Sequence, residues 1–135
     1  MYKQQIVFGE IRASAKKKTA IVRARLRLNN TPSLVVNSKP VMEYFCEESE
    51  QAIVLSAFAP IQCLKFDVMA VARGGGLTSQ ARALRLAIAK CMLGLGAQTE
   101  RVYKLYGATT TDARVVERKK YGHAKARRSF QFSKR

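Results

Sequence analysis

The chain has 135 residues, with 25 lysines and arginines against 9 aspartates and glutamates, and its formal net charge is +16. This length fits one domain, and a hydrophobic content of 47% is enough to form a core, which excludes a wholly disordered chain. The longest apolar run, at residues 52–61, is far too short to span a bilayer, so a membrane protein is not expected. The positive excess predicts a polyanionic partner, most often nucleic acid and sometimes an acidic membrane surface.

The basic residues are concentrated at the two ends of the chain. Residues 1–30 carry a net charge of +7 and residues 101–135 one of +9, whereas residues 31–70 carry −3 and residues 71–100 carry +3. One charged end alone could be a solvated surface. Two such ends around one small core favour binding to a polyphosphate.

The first predicted elements are strands. Arginines alternate with apolar residues at 21–28, and this period of two predicts a strand with one basic face. Residues 29–32 have turn chemistry and residues 34–36 predict a second strand, so the two strands are expected to form a hairpin.

The acidic middle of the chain is less clear. A short helix is predicted after Lys39 and Pro40. Residues 52–58 are apolar and fit either a helix or a buried strand. Residues 64–72, rich in Val, Phe and Met, predict a core strand that ends at a glycine triplet.

A helix is predicted after the glycine triplet at residues 74–76. The triplet fits a tight connection with positive φ that also presents backbone N–H groups to a phosphate, but it lacks the spacing of a nucleotide-binding loop. Thr78 or Ser79 is the expected N-cap, and Gly94 with Gly96 the expected end. The predicted apolar face consists of residues at spacings of three and four: Ala81, Leu84, Ile88, Cys91 and Leu95.

The last third of the chain predicts two shorter helices and a tail. The helices are expected near residues 98–105 and from Thr111 or Asp112 to Lys120. From His123 onward there is no apolar periodicity, so this end is expected to be extended and ordered only by a partner. The predicted fold is a single α+β domain with one sheet packed against helices, followed by a long basic tail.

No catalytic, metal or cofactor site is predicted. Cys46, Cys63 and Cys91 form no C-x-x-C pair and are expected to be buried, reduced thiols. His123 has no acidic neighbour that could orient it as a base.

The C-terminal segment has the most specific composition. Cations neutralise phosphates, and aromatic rings can stack on bases or pack against a fold. Three aromatic residues (Tyr121, Phe130 and Phe132) lie among nine cations: Arg114, Arg118, Lys119, Lys120, Lys125, Arg127, Arg128, Lys134 and Arg135.

Two sequence strings resemble a known family. The run from Asp112 through Val116-Glu117-Arg118-Lys119-Lys120-Tyr121-Gly122 to Gln131-Phe132-Ser133-Lys134-Arg135 resembles the C-terminus of small-subunit ribosomal protein nine in its bacterial and organellar form. The helix start Gly74-Gly75-Gly76-Leu77-Thr78-Ser79-Gln80-Ala81-Arg82-Ala83 is similar to that family's signature. The resemblance covers about residues 15–135. Met1 to Ser14 match nothing firmly, which suggests an N-terminal extension (1–14), a globular RNA-binding domain (15–111) and a tail (112–135).

The resemblance implies a structural constituent of the small ribosomal subunit, in a bacterial cytoplasm or an organelle. It implies a left-handed βαβ domain in the subunit head, next to other head proteins and bound to the 3′ major domain of the rRNA. The tail would reach peptidyl-site tRNA through Lys134 and Arg135. The rRNA-binding residues would be Lys16, Lys17, Lys18, Arg23, Arg82, Arg114, Arg118, Lys119, Lys120, Lys125, Arg127 and Arg128.

Two other classes compete with this interpretation. A kinase-like phosphate binder would share the glycine-rich loop before a helix, but it would need a further catalytic group near Ser79, and the sequence offers none. A histone-like DNA-binding protein would be indifferent between DNA and RNA.

Overall fold

The computed structural model describes residues 5–7, 9–28, 32–60, 66–94, 97–111, 114 and 116–134. Six strands and four helices occur among them. In chain order these are β1 (Gln5–Val7), β2 (Glu10–Lys17), β3 (Ala20–Leu28), β4 (Ser33–Val36), β5 (Lys39–Pro40), α1 (Val41–Tyr44), α2 (Glu48–Leu55), β6 (Phe66–Arg73), α3 (Leu77–Leu93) and α4 (Ala97–Leu105).

The strands form one mixed sheet in the order β1-β2-β3-β6-β4-β5. The β4–β6 pair is parallel, and the other pairs are antiparallel. With α3 packed on the sheet, this is the single small α+β domain that the sequence predicted. None of the helices in the described ranges is long and apolar enough to cross a membrane.

The core lies between α3 and one face of the sheet. Leu84, Ile88 and Met92 of α3 are fully buried and belong to one cluster with Val22 and Leu26 of β3. Most of the other buried positions on both sides of this interface are alanines, which let the helix approach the sheet closely. They are Ala13, Ala15, Ala20, Ala24, Ala70, Ala72, Ala81, Ala83, Ala87 and Ala89.

The predicted hairpin between residues 21–28 and 34–36 is wrong. The second strand, β4, pairs in parallel with β6, and β3 lies between β2 and β6. β3 meets β6 over eight residue pairs, whereas β4 has only four residues. The long ladder buries more of the apolar row of β3 than a hairpin with β4 would.

The sheet also includes residues upstream of position 15, where the domain was predicted to begin. Glu10–Lys17 forms β2, which pairs along its whole length with β3. Its buried row consists of Ile11, Ala13 and Ala15. Two alanines in three buried positions give a weak apolar alternation, so the sequence pattern did not indicate this strand.

The helix predictions had mixed outcomes. Of residues 52–58, which the sequence left open between helix and strand, residues 52–55 belong to α2 and residues 56–58 to the turn after it. The long helix predicted after the glycines is α3. The helix expected to reach Lys120 does not form, since residues 116–120 are neither helix nor strand. That stretch holds three consecutive cations and offers no apolar face whose burial would offset the cost of helix nucleation.

The N-terminus of α3 is not capped by Thr78 or Ser79. Gly76 is the N-cap residue, without a side-chain hydrogen bond. The Thr78 hydroxyl instead donates to Glu50 Oε1 (2.8 Å), and Glu50 is buried at the end of α2 that faces this turn. The carboxylate therefore links α2 to the first turn of α3, where the helix dipole favours negative charge.

The glycine connection before α3 has the positive φ that the sequence predicted. Gly74 and Gly75 have φ of 71° and 68°. A Cβ at Gly75 would lie 2.9 Å from the Cβ of Ala20, and one at Gly74 would lie 2.8 Å from the carbonyl oxygen of Thr19. Both the backbone conformation and the β2–β3 turn therefore exclude side chains here.

Replacing Gly75 by serine should destabilise the domain by at least about 1 kcal/mol, because a side chain meets both positive φ and Ala20. Gly76→Ser is the matched control: Gly76 has open space, φ of −97° and an N-cap position that favours serine. Urea denaturation followed by circular dichroism measures both variants. Equal stability of the two would show that the turn relaxes around the new side chain.

Candidate nucleic-acid interface

None of the described helices packs on the second face of the sheet, opposite α3. Side chains of β2, β3 and β6 alternate between the row buried under α3 and a second row on the opposite side. We call this second row the open sheet face. It consists of Glu10, Arg12, Ser14, Lys16, Ile21, Arg23, Arg25, Arg27, Asp67, Met69, Val71 and Arg73, of which Glu10 is buried, Arg12 and Asp67 are half-buried and the others exposed.

Arg23 is the sequence-predicted site residue at the centre of this face. It lies opposite Ser14 of β2 and Val71 of β6 and is exposed. Arg25, its neighbour along β3, shares the open sheet face but was not predicted as a site residue. The alternation of arginines at 23, 25 and 27 was the signal that could have indicated all three.

Lys16, Lys17 and Lys18 do not share one surface. Lys16 is exposed on the open sheet face, opposite Ile21. Lys17 is half-buried and falls on the other side of β2, as the pleat requires. Lys18 is exposed in the β2–β3 turn with φ of 54°. Thr19 of this turn and Ala20, the first residue of β3, lie against Gly74 and Gly75 of the connection that begins α3.

Arg82 lies on the opposite side of the sheet from Arg23. It is exposed on α3, and α3 packs on the face of the sheet that the arginines of β3 do not occupy. The structure therefore brings Lys16 and Arg23 to one face and leaves Arg82 on another.

A chain of hydrogen bonds fixes the glycine connection. Gln80 Nε2 donates to the Gly74 carbonyl (3.0 Å), and the Tyr44 hydroxyl donates to Gln80 Oε1 (2.7 Å). Asn37 Nδ2 donates to the Tyr44 hydroxyl (3.2 Å) and to the Ala72 carbonyl (2.9 Å), while the Ala72 N–H donates to Asn37 Oδ1 (3.0 Å). The network ties α1 and the β4–β5 turn to the start of α3.

Tyr44→Phe should lower the unfolding free energy by about 0.5–1.5 kcal/mol, because Gln80 Oε1 and Asn37 Nδ2 both lose their partner at this hydroxyl. The control is Tyr106→Phe, at a tyrosine that is 60% exposed, which should change stability by less than about 0.5 kcal/mol. Thermal and urea unfolding measure both variants. A Tyr44→Phe variant as stable as the control would contradict the structural role of the network.

Glu10 is the acidic residue that organises one end of the open sheet face. Its side chain is 6% exposed; Oε2 accepts from Arg12 Nη2 at 2.8 Å, and Oε1 pairs with Arg27. The hydrogen bond from Arg12 is the main reason why the pKa of Glu10 lies below its ordinary value, with Arg27 adding to it against the effect of burial. A carboxylate with a lowered folded-state pKa stabilises the folded protein at pH values above its unfolded pKa of about 4.3.

The contribution of Glu10 should be lost as the pH falls from its unfolded pKa of about 4.3 through its lower folded pKa, because the unfolded state then binds a proton that the folded state does not. The unfolding free energy of Glu10→Gln should consequently decline less between pH 5 and pH 3 than that of the unaltered protein. Glu48→Gln, at an exposed glutamate with no ion pair among the described residues, should follow the unaltered protein. Parallel curves for Glu10→Gln and the unaltered protein would refute this assignment.

The C-terminal segment, taken here as residues 114–134 where described, contains neither helix nor strand. The sequence predicted an extended segment, but the segment is not extended throughout. Ala124 N–H donates to the Arg128 carbonyl (2.7 Å), and Gly122 adopts φ of 74°. Residues 117–128 thus form a local loop.

The side chain of Glu117 forms ion pairs with two other residues of this loop. It pairs with Lys120 Nζ at 2.8 Å and with Arg127 Nε at 2.9 Å. Hydrogen bonds from these two cations keep the pKa of Glu117 below its ordinary value. The sequence predicts a run of cations here and carries no signal for the two ion pairs of Glu117, the one acidic residue in the described part of the segment.

The remaining cations of the segment are accessible. Arg114, Arg118, Lys119, Lys125, Arg128 and Lys134 are exposed, and Arg135 lies outside the described residues. Tyr121 and Phe132 are fully exposed and Phe130 is 55% exposed. The side chains that could stack on bases are therefore not used in the core.

The thiols differ from one another. Cys91 is buried, as predicted, and desolvation raises its pKa to about 12. Cys46 is exposed, so its predicted burial is wrong: it follows α1 on the surface. Cys63 lies outside the described residues. No group of three or more His, Cys, Asp or Glu side chains within the described ranges is placed to hold a metal ion.

These features define a small, strongly basic α+β protein whose exposed cations lie on an open sheet face and on a C-terminal segment. A family model described as Ribosomal protein S9/S16 matches residues 15–135. The match includes the glycine connection, α3 and the whole basic segment. The chain belongs to this family of small-subunit ribosomal proteins.

Proposed function

We propose that the protein is a structural constituent of the small ribosomal subunit that binds rRNA with its basic residues and contacts peptidyl-site tRNA with its C-terminal end. Family membership supports a structural role in translation, in the ribosome. The observation that carries the RNA-binding part is the exposure of six cations and three aromatic rings on a segment that forms no core.

The mechanism is electrostatic positioning without chemistry on the RNA. Exposed lysines and arginines neutralise backbone phosphates and release their counterions. The candidate rRNA ligands are Lys16, Lys17, Lys18, Arg23 and Arg82 of the domain with Arg114, Arg118, Lys119, Lys120, Lys125, Arg127 and Arg128 of the segment. The partner RNA is the 3′ major domain in the subunit head, beside other head proteins, in a bacterial or organellar ribosome.

Sedimentation is the decisive test of the general role. The tagged protein should migrate with small subunits on a sucrose gradient and leave them at high salt, because phosphate contacts weaken as salt rises. Migration at the top of the gradient in low salt would refute the proposal. Equal binding of the isolated protein to DNA and RNA duplexes would instead favour a general nucleic-acid binder.

Removing Lys134 and Arg135 should weaken tRNA binding at the peptidyl site by about 1–3 kcal/mol, on the scale of charge-assisted hydrogen bonds. Filter binding of tRNA to purified small subunits with and without the two residues measures this loss. Subunit assembly and the melting temperature of the free protein should not change, because exposed terminal charges contribute only tenths of a kcal/mol. Unchanged tRNA affinity would remove the tRNA role and leave rRNA binding in place.

A further inference from the structure

One side of α2 belongs to the core, and its other side has no covering. Val54 of α2 is fully buried in the core cluster, and the helix packs against α3. Glu48, Ala52 and Leu55 follow one another at helical spacing on the opposite side, and all three are exposed. Within the described ranges no other element packs over these three residues. This side of α2 is therefore an unpartnered helix face.

The apolar part of this face extends beyond the helix. Leu55 is 46% exposed, and Met42 of α1 is 60% exposed. The side chain of Gln51 joins the two helices, because its Nε2 donates to the carbonyl oxygens of Phe45 (2.7 Å) and Met42 (3.4 Å). Met42 therefore lies beside α2. We define the α2 face by five exposed residues: Met42, Glu47, Glu48, Ala52 and Leu55.

The charge of the α2 face is opposite to the net charge of the protein. Residues 40–64 contain four glutamates and no lysine or arginine, in a chain that has 25 of these cations. Glu47 and Glu48 are exposed, and neither forms an ion pair in the described part of the chain. Carboxylates repel phosphates at close range, so this face is not complementary to an RNA backbone.

A polypeptide rich in lysine and arginine is complementary to this face. The aliphatic stem of such a side chain packs on apolar groups while its charged head stays at a polar partner. On the α2 face the stems would cover Ala52 and Leu55, and the heads would reach the carboxylates of Glu47 and Glu48. RNA offers neither the cations nor the aliphatic stems. One kind of partner thus satisfies both the apolar and the acidic residues.

We propose that the α2 face is a docking site for a lysine- and arginine-rich segment of another protein of the small subunit. This inference rests on the proposed function, because it assumes that the chain is part of a ribosomal subunit. It assigns a protein partner to residues that are separate from the cations proposed to bind rRNA and tRNA. Neither the charge excess nor the C-terminal segment contributes to it.

The test is photo-cross-linking in purified small subunits that contain the full-length protein. A photoreactive diazirine amino acid replaces Ala52 in one variant and Tyr121, which is fully exposed in the C-terminal segment, in another. Mass spectrometry identifies the peptide or nucleotide that each reporter captures. Circular dichroism of the free proteins confirms that both variants are folded.

A charge reversal tests the recognition itself. Glu48→Lys and its matched control Glu100→Lys each change an exposed glutamate in the first turn of a helix, and each raises the net charge by two. With the reporter at position 52, Glu48→Lys should lower the yield of the protein cross-link at least about fivefold relative to the control, because a like charge then faces the cations of the partner.

The reporter at position 52 should capture a protein segment rich in lysine and arginine, and the reporter at position 121 should capture RNA. Capture of RNA from position 52, or no capture there while position 121 reacts, overturns the docking site and leaves the proposed function standing. A captured segment without an excess of cations, or equal yields from Glu48→Lys and Glu100→Lys, also refutes it. If the protein does not enter small subunits, the proposed function fails and the docking site fails with it.

Discussion

The close packing of α3 on the alanine-rich face of the sheet is the constraint from which the other features follow. One row of each central strand must be small or apolar to receive the helix, and Val22, Ala24 and Leu26 of β3 meet this requirement. Because side chains of a strand alternate, the arginines between them project from the other face. The basic surface is therefore the geometric complement of the core, and neither can shift by one residue without exchanging places with the other.

The start of α3 depends on the same packing. Gly74 and Gly75 lie so close to Thr19 and Ala20 that the strand-to-helix connection and the β2–β3 turn are fitted to each other. The hydrogen bonds of Asn37, Tyr44 and Gln80 hold that connection from the opposite side. Gly74 and Gly75 thus serve the fold, whereas Gly76 has open space around it.

The C-terminal segment follows a different principle. It has no apolar periodicity, so it gains nothing from burial, and its exposed cations and aromatic rings remain available to a partner. Residues 117–128 nevertheless form a loop, which has a backbone hydrogen bond from Ala124 to Arg128 and ion pairs of Glu117 with Lys120 and Arg127. Exposed ion pairs of this kind are weak, so they add little to the stability of the segment.

Local pattern was sufficient for the elements whose periodicity is strong. The alternation at 21–28, the 3–4 spacing of α3 and the glycines before it determined a strand with a basic face, a long amphipathic helix and the turn between them. The terminal string determined the family. The pairing of the strands was decided only by the tertiary structure. By sequence, β3 could pair with β4 or with β6. The β3–β6 ladder buries the longer apolar row and is the one that forms, and β4 pairs with the other edge of β6. The tertiary structure also decided the position of β2, because its alanines give no strand signal in the sequence and become a buried row only when α3 packs on them. Since β2 pairs with β3, this packing also places Arg12 and Arg25 on one face.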